Sequence, residues 1–191
     1  MDGELVWRMR TALRQSGWWS TAQSIGDAVR RTAHPGGLLV VGTPEHEPWH
    51  LTAHLDDEAR FTGQQQLRAT LVRFAPPIGA APHLAVGLRR LETATSGETV
   101  LIVAPDLAPA RLLERVERAK RVGATVLSVD GGDPALDDVV HERMSVTPTE
   151  LLAPQGAEFS FDLAQHLVST AAGARTPNGR YGALRAALSR V

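Results

Sequence analysis

Between Ser96 and Asp130 the chain reads SGETVLIVAPDLAPARLLERVERAKRVGATVLSVD. Thr99–Ala104 is a short apolar run rich in β-branched residues, the pattern of a buried strand. Arg111–Val122 then puts Leu112, Val116 and Ala119 on one stripe with arginine and glutamate opposite, which predicts an amphipathic helix. Gly123 is placed to end that helix, and Ala124–Val129 predicts a second buried strand. Strand, helix and strand over this length make a βαβ unit, with parallel strands and a right-handed crossover. Ligands of such sheets sit at the carboxyl ends of the strands. The loops that matter for function are therefore Thr43–Glu47, Pro105–Pro109 and Asp130–Asp133.

Working outward, Leu38–Val41 predicts the first strand, after a His34-Pro35-Gly36-Gly37 turn. A helix over Pro48–Phe61, a strand over Leu67–Phe74, a loop over Pro76–Pro82 and a helix over His83–Thr95 follow. Beyond Asp130, the pattern predicts a short helix or turn over Asp133–Arg143 and a last strand at Met144–Val146. Ala157–Ala172 reads as a helix with Phe161, Leu163, Leu167 and Val168 apolar. Near the start, Glu4–Gln15 and Ser20–Thr32 read as helices, the second N-capped by Ser20 or Thr21. Trp18 and Trp19 between them suit the core, or a surface covered by another subunit. The stretch Arg175–Val191 is basic and contains a Thr-Pro-Asn-Gly turn.

Composition narrows the function classes. A length of 191 residues fits one domain with a proper core. A net charge of −1 offers no basic excess for nucleic acid. No apolar run approaches the roughly 20 residues of a membrane span, and no signal-peptide core is present, so the expected location is the cytoplasm. The absence of cysteine excludes disulfides and thiolate metal sites.

The densest polar constellation is HEPWHLTAHLDDE, His46 to Glu58. His46, His50, His54 and Glu58 are four apart, so on a continuous helix they share a face. Neutral imidazoles and a carboxylate are good ligands for zinc, although a merely solvated face has the same pattern. His46-Glu47-x-x-His50 formally matches the zincin motif, but Pro48 lies between the histidines and fits the first turn of a helix better. His83 reads as a surface or capping residue, and His141 as a partner for Asp137 or Asp138. Asp106 suits an N-cap before the central helix, and Asp130-Gly131-Gly132-Asp133 a turn at the ligand edge.

From Gly37 to Gly173 the order and character of the segments resemble the sugar isomerase (SIS) domain, nearest to the phosphoheptose isomerase group. Gly97–Asp130 is the best local match, with Ala119–Ser128 (AKRVGATVLS) especially similar. The resemblance implies an α/β fold, a three-layer sandwich around a five-stranded, parallel, doubly wound sheet. It implies N-terminal helices over residues 1–36 that pack on the domain or on a neighbouring subunit, the domain itself over 37–173, and a basic tail over 174–191. It further implies a carbohydrate-derivative ligand and a homodimer or homotetramer. The loops place Gly42, Thr43, Asp106, Ser128 and Asp130 as candidate ligand-binding residues. His54 and Glu58 align with the family's His-x-x-x-Glu, and Glu158 and His166 with a Gln and a His eight residues apart on its last helix. By resemblance, His54, Glu58, Glu158 and His166 hold one divalent, zinc-like metal ion. Glu58 and His166 would then serve as base and acid in aldose–ketose isomerisation.

The loops depart from the family pattern. Gly42–Glu47 offers one hydroxyl, one proline and two carboxylates, and Ala104–Pro109 offers no hydroxyl and two prolines. A carboxylate about 4 Å from a phosphate is repulsive by ~1 kcal/mol even in water. The expected function is therefore a SIS-like protein that binds a carbohydrate derivative, of phosphosugar or nucleotide-sugar type, without standard isomerase activity. The alternatives are a metal-dependent phosphosugar isomerase of the phosphoheptose type and an oligomeric scaffold.

Overall fold

Five short strands pair side by side in the order β2-β1-β3-β4-β5. They are β1 (Leu38–Val41), β2 (Ala69–Val72), β3 (Thr99–Ala104), β4 (Thr125–Asp130) and β5 (Glu142–Ser145), and every pairing is parallel. Among the described residues, five α-helices accompany them: α1 (Trp18–Arg30), α2 (Trp49–Thr62), the single turn α3 (Arg89–Glu92), α4 (Ala110–Arg121) and α5 (Phe161–Gly173). The computed structural model describes residues 17–146 and 161–174. The expected helix Glu4–Gln15, the candidate ligand Glu158 and the basic tail from Arg175 lie outside the described residues.

Every residue of β1 and β3 is buried, as a parallel sheet covered on both faces requires. Alternate residues go to opposite layers. Leu38, Val40, Leu101, Val103, Leu127 and Val129 share one core with α1, α2 and α5. Leu39, Val41, Val100, Ile102 and Val126 share the other with α3 and α4. The result is the three-layer α/β sandwich expected, with five parallel strands. No helix among the described residues is long and apolar enough to cross a membrane.

The fold positions the site through its strand order. The chain moves outward from β1 to β2, then returns to the other side of β1 with β3. The order reverses between β1 and β3, the topological switch point at which open parallel sheets place their ligands. The loops that follow these strands, Gly42–Pro48 and Pro105–Pro109, flank that point.

The central unit matches its sequence pattern closely. Leu112, Val116 and Ala119 form the buried stripe of α4, and Gly123 follows with φ 95°, a left-handed turn that glycine adopts without steric cost. Trp18 is buried in the core and Trp19 packs partly buried against it.

Elsewhere the structure corrects several expectations. His83–Thr95 is not one helix. It is a 3₁₀ turn at Pro82–Leu84 and the single turn α3. Between them the Arg73 N–H donates to the Val86 carbonyl at 2.8 Å, so Val86 and Gly87 lie along the end of the edge strand instead of coiling. The second strand is shortened to Ala69–Val72 by a 3₁₀ turn at Gln65–Leu67, and the last strand begins two residues earlier than expected, at Glu142. Neither Ser20 nor Thr21 caps α1. The helix starts at Trp18, and both hydroxyls donate to the Gly17 carbonyl. Asp106 does not cap α4: Pro109 holds that position and Asp106 is exposed. His141 pairs with neither aspartate, because its Nδ1 accepts the Val126 N–H at 2.9 Å.

Candidate functional site at the carboxyl end of the sheet

The loop after β1 closes on itself. Thr43 N–H donates to the His46 carbonyl at 3.0 Å, and His46 N–H donates to the Thr43 carbonyl and hydroxyl. A Cβ on Gly42 would collide with the His46 carbonyl, so only glycine permits this turn. The Thr43 amide is thus satisfied inside the loop and its side chain is fully buried. Glu47, one of the two loop carboxylates, is held by Arg73 Nε and Nη2 at 2.8–3.1 Å and accepts the Trp49 indole N–H at 2.8 Å. Arg73 also lies over the Trp49 ring, 4.9 Å from its centre. Half of the negative charge in this loop is therefore neutralised by a residue that the sequence pattern did not single out, 26 positions away.

The loops after β3 and β4 are tied together. Ala108 N–H donates to Asp133 Oδ2 at 2.7 Å, and Asp133 Oδ1 accepts the Ala135 N–H. Gly131 N–H donates to the Ala104 carbonyl, and the Gly131 α-carbon sits so close to Pro105 that a Cβ would overlap the proline carbonyl. Ser128 and Asp130 are both fully buried. Ser128 donates to Asp130 Oδ2 at 2.6 Å, and Asp130 further accepts from Gly132 N–H, Ser145 Oγ and the Arg143 guanidinium. The hydrogen bonds that Arg143 donates to Asp130 hold the Arg143 pKa above its ordinary value, against the opposing effect of burial. Of the five candidate ligand-binding residues, Gly42 and Thr43 thus line the β1/β3 switch point. Asp106 is exposed in the second loop, and Ser128 and Asp130 lie inside an internal ion-pair network.

The histidines gather on the adjacent layer. α2 and α5 pack side by side and run in the same direction. His46 meets Phe161 edge-on at 5.6 Å, and His54 meets His166 at 4.5 Å, further along both elements. His50 lies 4.5 Å from His54 and 5.2 Å from His166, measured between ring centres. One ring nitrogen of each of the three lies within 4.8 Å of the others. His46 stands outside this group, because α2 begins only at Trp49, behind Pro48. That start also removes the continuous helix that a zincin motif needs.

Glu58 takes a different course. It is buried one turn beyond His54, and its carboxylate packs against Gly173, where a Cβ would overlap it. Gly173 is seven residues past His166, about 10 Å along a helix. The rings of His50, His54 and His166 thus gather at one place, while the Glu58 carboxylate packs against Gly173. Burial, then the nearby His50, lower the pKa of His166, and Asp162 only partly opposes them. The signal for His50 was present in the four-residue spacing. What the sequence did not carry was the register of α5 against α2.

No protein-family model matches the sequence, and no curated protein matches it. Solved structures do resemble it. The sugar isomerase domain of an RpiR transcription factor from Sphaerobacter thermophilus superposes with a TM-score of 0.56 at 13% identity, over 88% of this chain and 85% of that one. The Vibrio vulnificus NanR protein, solved as a complex with ManNAc-6P, gives a TM-score of 0.51 at 13% identity, over 88% of this chain. This chain spans only 61% of the NanR chain. Sheet order, layers and these likenesses agree on one conclusion: the chain has the fold of sugar isomerase domain proteins.

Proposed function

We propose that this chain is a SIS-type binding domain for a carbohydrate derivative, of phosphosugar or nucleotide-sugar type, that does not carry out aldose–ketose isomerisation. The observation that carries the proposal is the position of Glu58. A general base must come within hydrogen-bond reach, about 3 Å, of the proton it removes. Glu58 is buried against Gly173, about two turns of α5 from His166. The pair that would have to work as base and acid therefore faces two different places. The ligand class is supported by the shared fold and by the sugar phosphate bound to the NanR relative. The ligand would lie at the β1/β3 switch point, beside the histidine group and the half-exposed Trp49. Arg73, by neutralising Glu47, reduces the repulsion that the loop would otherwise present to an anion.

Isothermal titration with a panel of hexose and heptose phosphates and nucleotide sugars tests this, with inorganic phosphate as the control. Saturable binding of a sugar derivative, weaker for inorganic phosphate alone, is the expected result. Absence of binding across the panel would leave the oligomeric scaffold as the better reading. Light scattering of the same samples would then test for the homodimer or homotetramer.

A further inference from the structure

We propose that His50, His54 and His166 form a divalent-metal site of three imidazoles, with a fourth coordination position left for solvent or ligand. The inference does not rest on the carbohydrate reading, since a metal can bind whether or not a sugar does.

The donor set implied by resemblance has two carboxylates. Glu158 lies outside the described residues, and Glu58 packs against Gly173, outside the group whose ligand atoms converge. The described residues offer a different set. His50 and His54 are four apart on α2, so one helical turn stacks them on one face. His166 comes from α5, which packs directly against α2. Both helices are anchored by their apolar sides: Leu51 and Leu55 on α2, Leu167 and Val168 on α5, are buried in one core. The three α-carbons are therefore held close to one another by the packing of the two helices. Tetrahedral zinc with Zn–N bonds of about 2.0–2.1 Å needs nitrogens about 3.4 Å apart. The observed nitrogens all lie within 4.8 Å of one another, so shifts of about 1 Å bring them to that spacing.

The chemistry of the donors selects the ion. Three imidazole nitrogens, with no carboxylate in the group among the described residues, favour zinc and similar transition metals over magnesium or calcium. No hydrogen bond among the described residues occupies the ring nitrogens of His50 or His166.

The test uses the full chain without a histidine tag, stripped of metal. Titration with Co²⁺, followed by displacement with Zn²⁺, should show one ion per chain and the visible absorption of a four-coordinate, nitrogen-rich site. His50→Ala and His166→Ala should each weaken zinc affinity by more than about 100-fold, since even loss of an outer partner costs 10–100-fold. Glu58→Gln should leave the affinity within about threefold. Loss of binding in Glu58→Gln with His50→Ala unaffected would overturn the proposal, as would failure of the unmodified protein to bind one ion. Because a variant can fail by misfolding, X-ray absorption at the zinc edge of the unmodified protein provides a second measure. Three imidazoles in the fit support the site, and a fit dominated by carboxylate oxygen overturns it.

Discussion

Asp130 is fully buried and gathers donors from Ser128, Gly132, Arg143 and Ser145. A charge in that position is stable only while its partner remains. Arg143→Ala should lower unfolding free energy by about 3 kcal/mol, read from urea midpoints at unchanged m-value. Glu98 shows the same principle at the opposite end of the sheet. Burial alone would raise its pKa. The hydrogen bonds from Arg90 and Thr95 N–H, with the charges of Arg90 and His34, outweigh burial and hold it below the usual 4.5. A carboxylate with a depressed folded-state pKa contributes stability above its unfolded value and loses it as pH falls through the folded one. Stability should therefore drop as the pH falls below about 4.5, and Glu98→Gln should flatten that drop. Urea titrations at pH 7 and at about pH 3.5 measure both. Such networks were not legible in the sequence. Asp130 stood out as a residue of the ligand edge, but nothing local announced that Arg143, thirteen positions on, would occupy it. The same holds for Arg73 and Glu47, 26 positions apart.

At the scale of elements, the packing of α5 against α1 and α2 decides what the site contains. Gly26 lets α1 approach α5 closely: a Cβ there would lie 2.7 Å from the Ala171 backbone. Arg30 meanwhile donates to the Ala171 and Ala172 carbonyls near the end of α5. Gly26→Ala should destabilise by about 1–3 kcal/mol through overpacking, although alanine is the better helix former. A thermal melt decides between the two effects, since a raised midpoint would mean the helices have room to part. The helical histidine face was legible because a four-residue spacing is a local property. The choice between His50 and Glu58 as the companion of His54 was not, because it depends on where α5 lies. The segment from His83 to Thr95 misled for a related reason. Its leucines have helical spacing, yet Val86 and Gly87 are drawn into pairing with the end of β2.

For the whole molecule, the βαβ pattern of Ser96–Asp130 specified buried parallel strands joined by a helical crossover, and the resemblance implied the five-stranded, doubly wound, three-layer arrangement. The order β2-β1-β3-β4-β5 and its switch point followed from the structure. Those features put the candidate site between the loops after β1 and β3, with the histidines on the flanking helices. A molecule of this shape can hold a sugar derivative without transforming it when no base reaches the carbon that would lose its proton. The decisive measurement is proton NMR of a bound aldose phosphate in D₂O with the zinc-loaded protein. Retention of the C2 proton over many binding cycles is the expected result. Its replacement by deuterium faster than in a protein-free control would show proton abstraction and establish an isomerase.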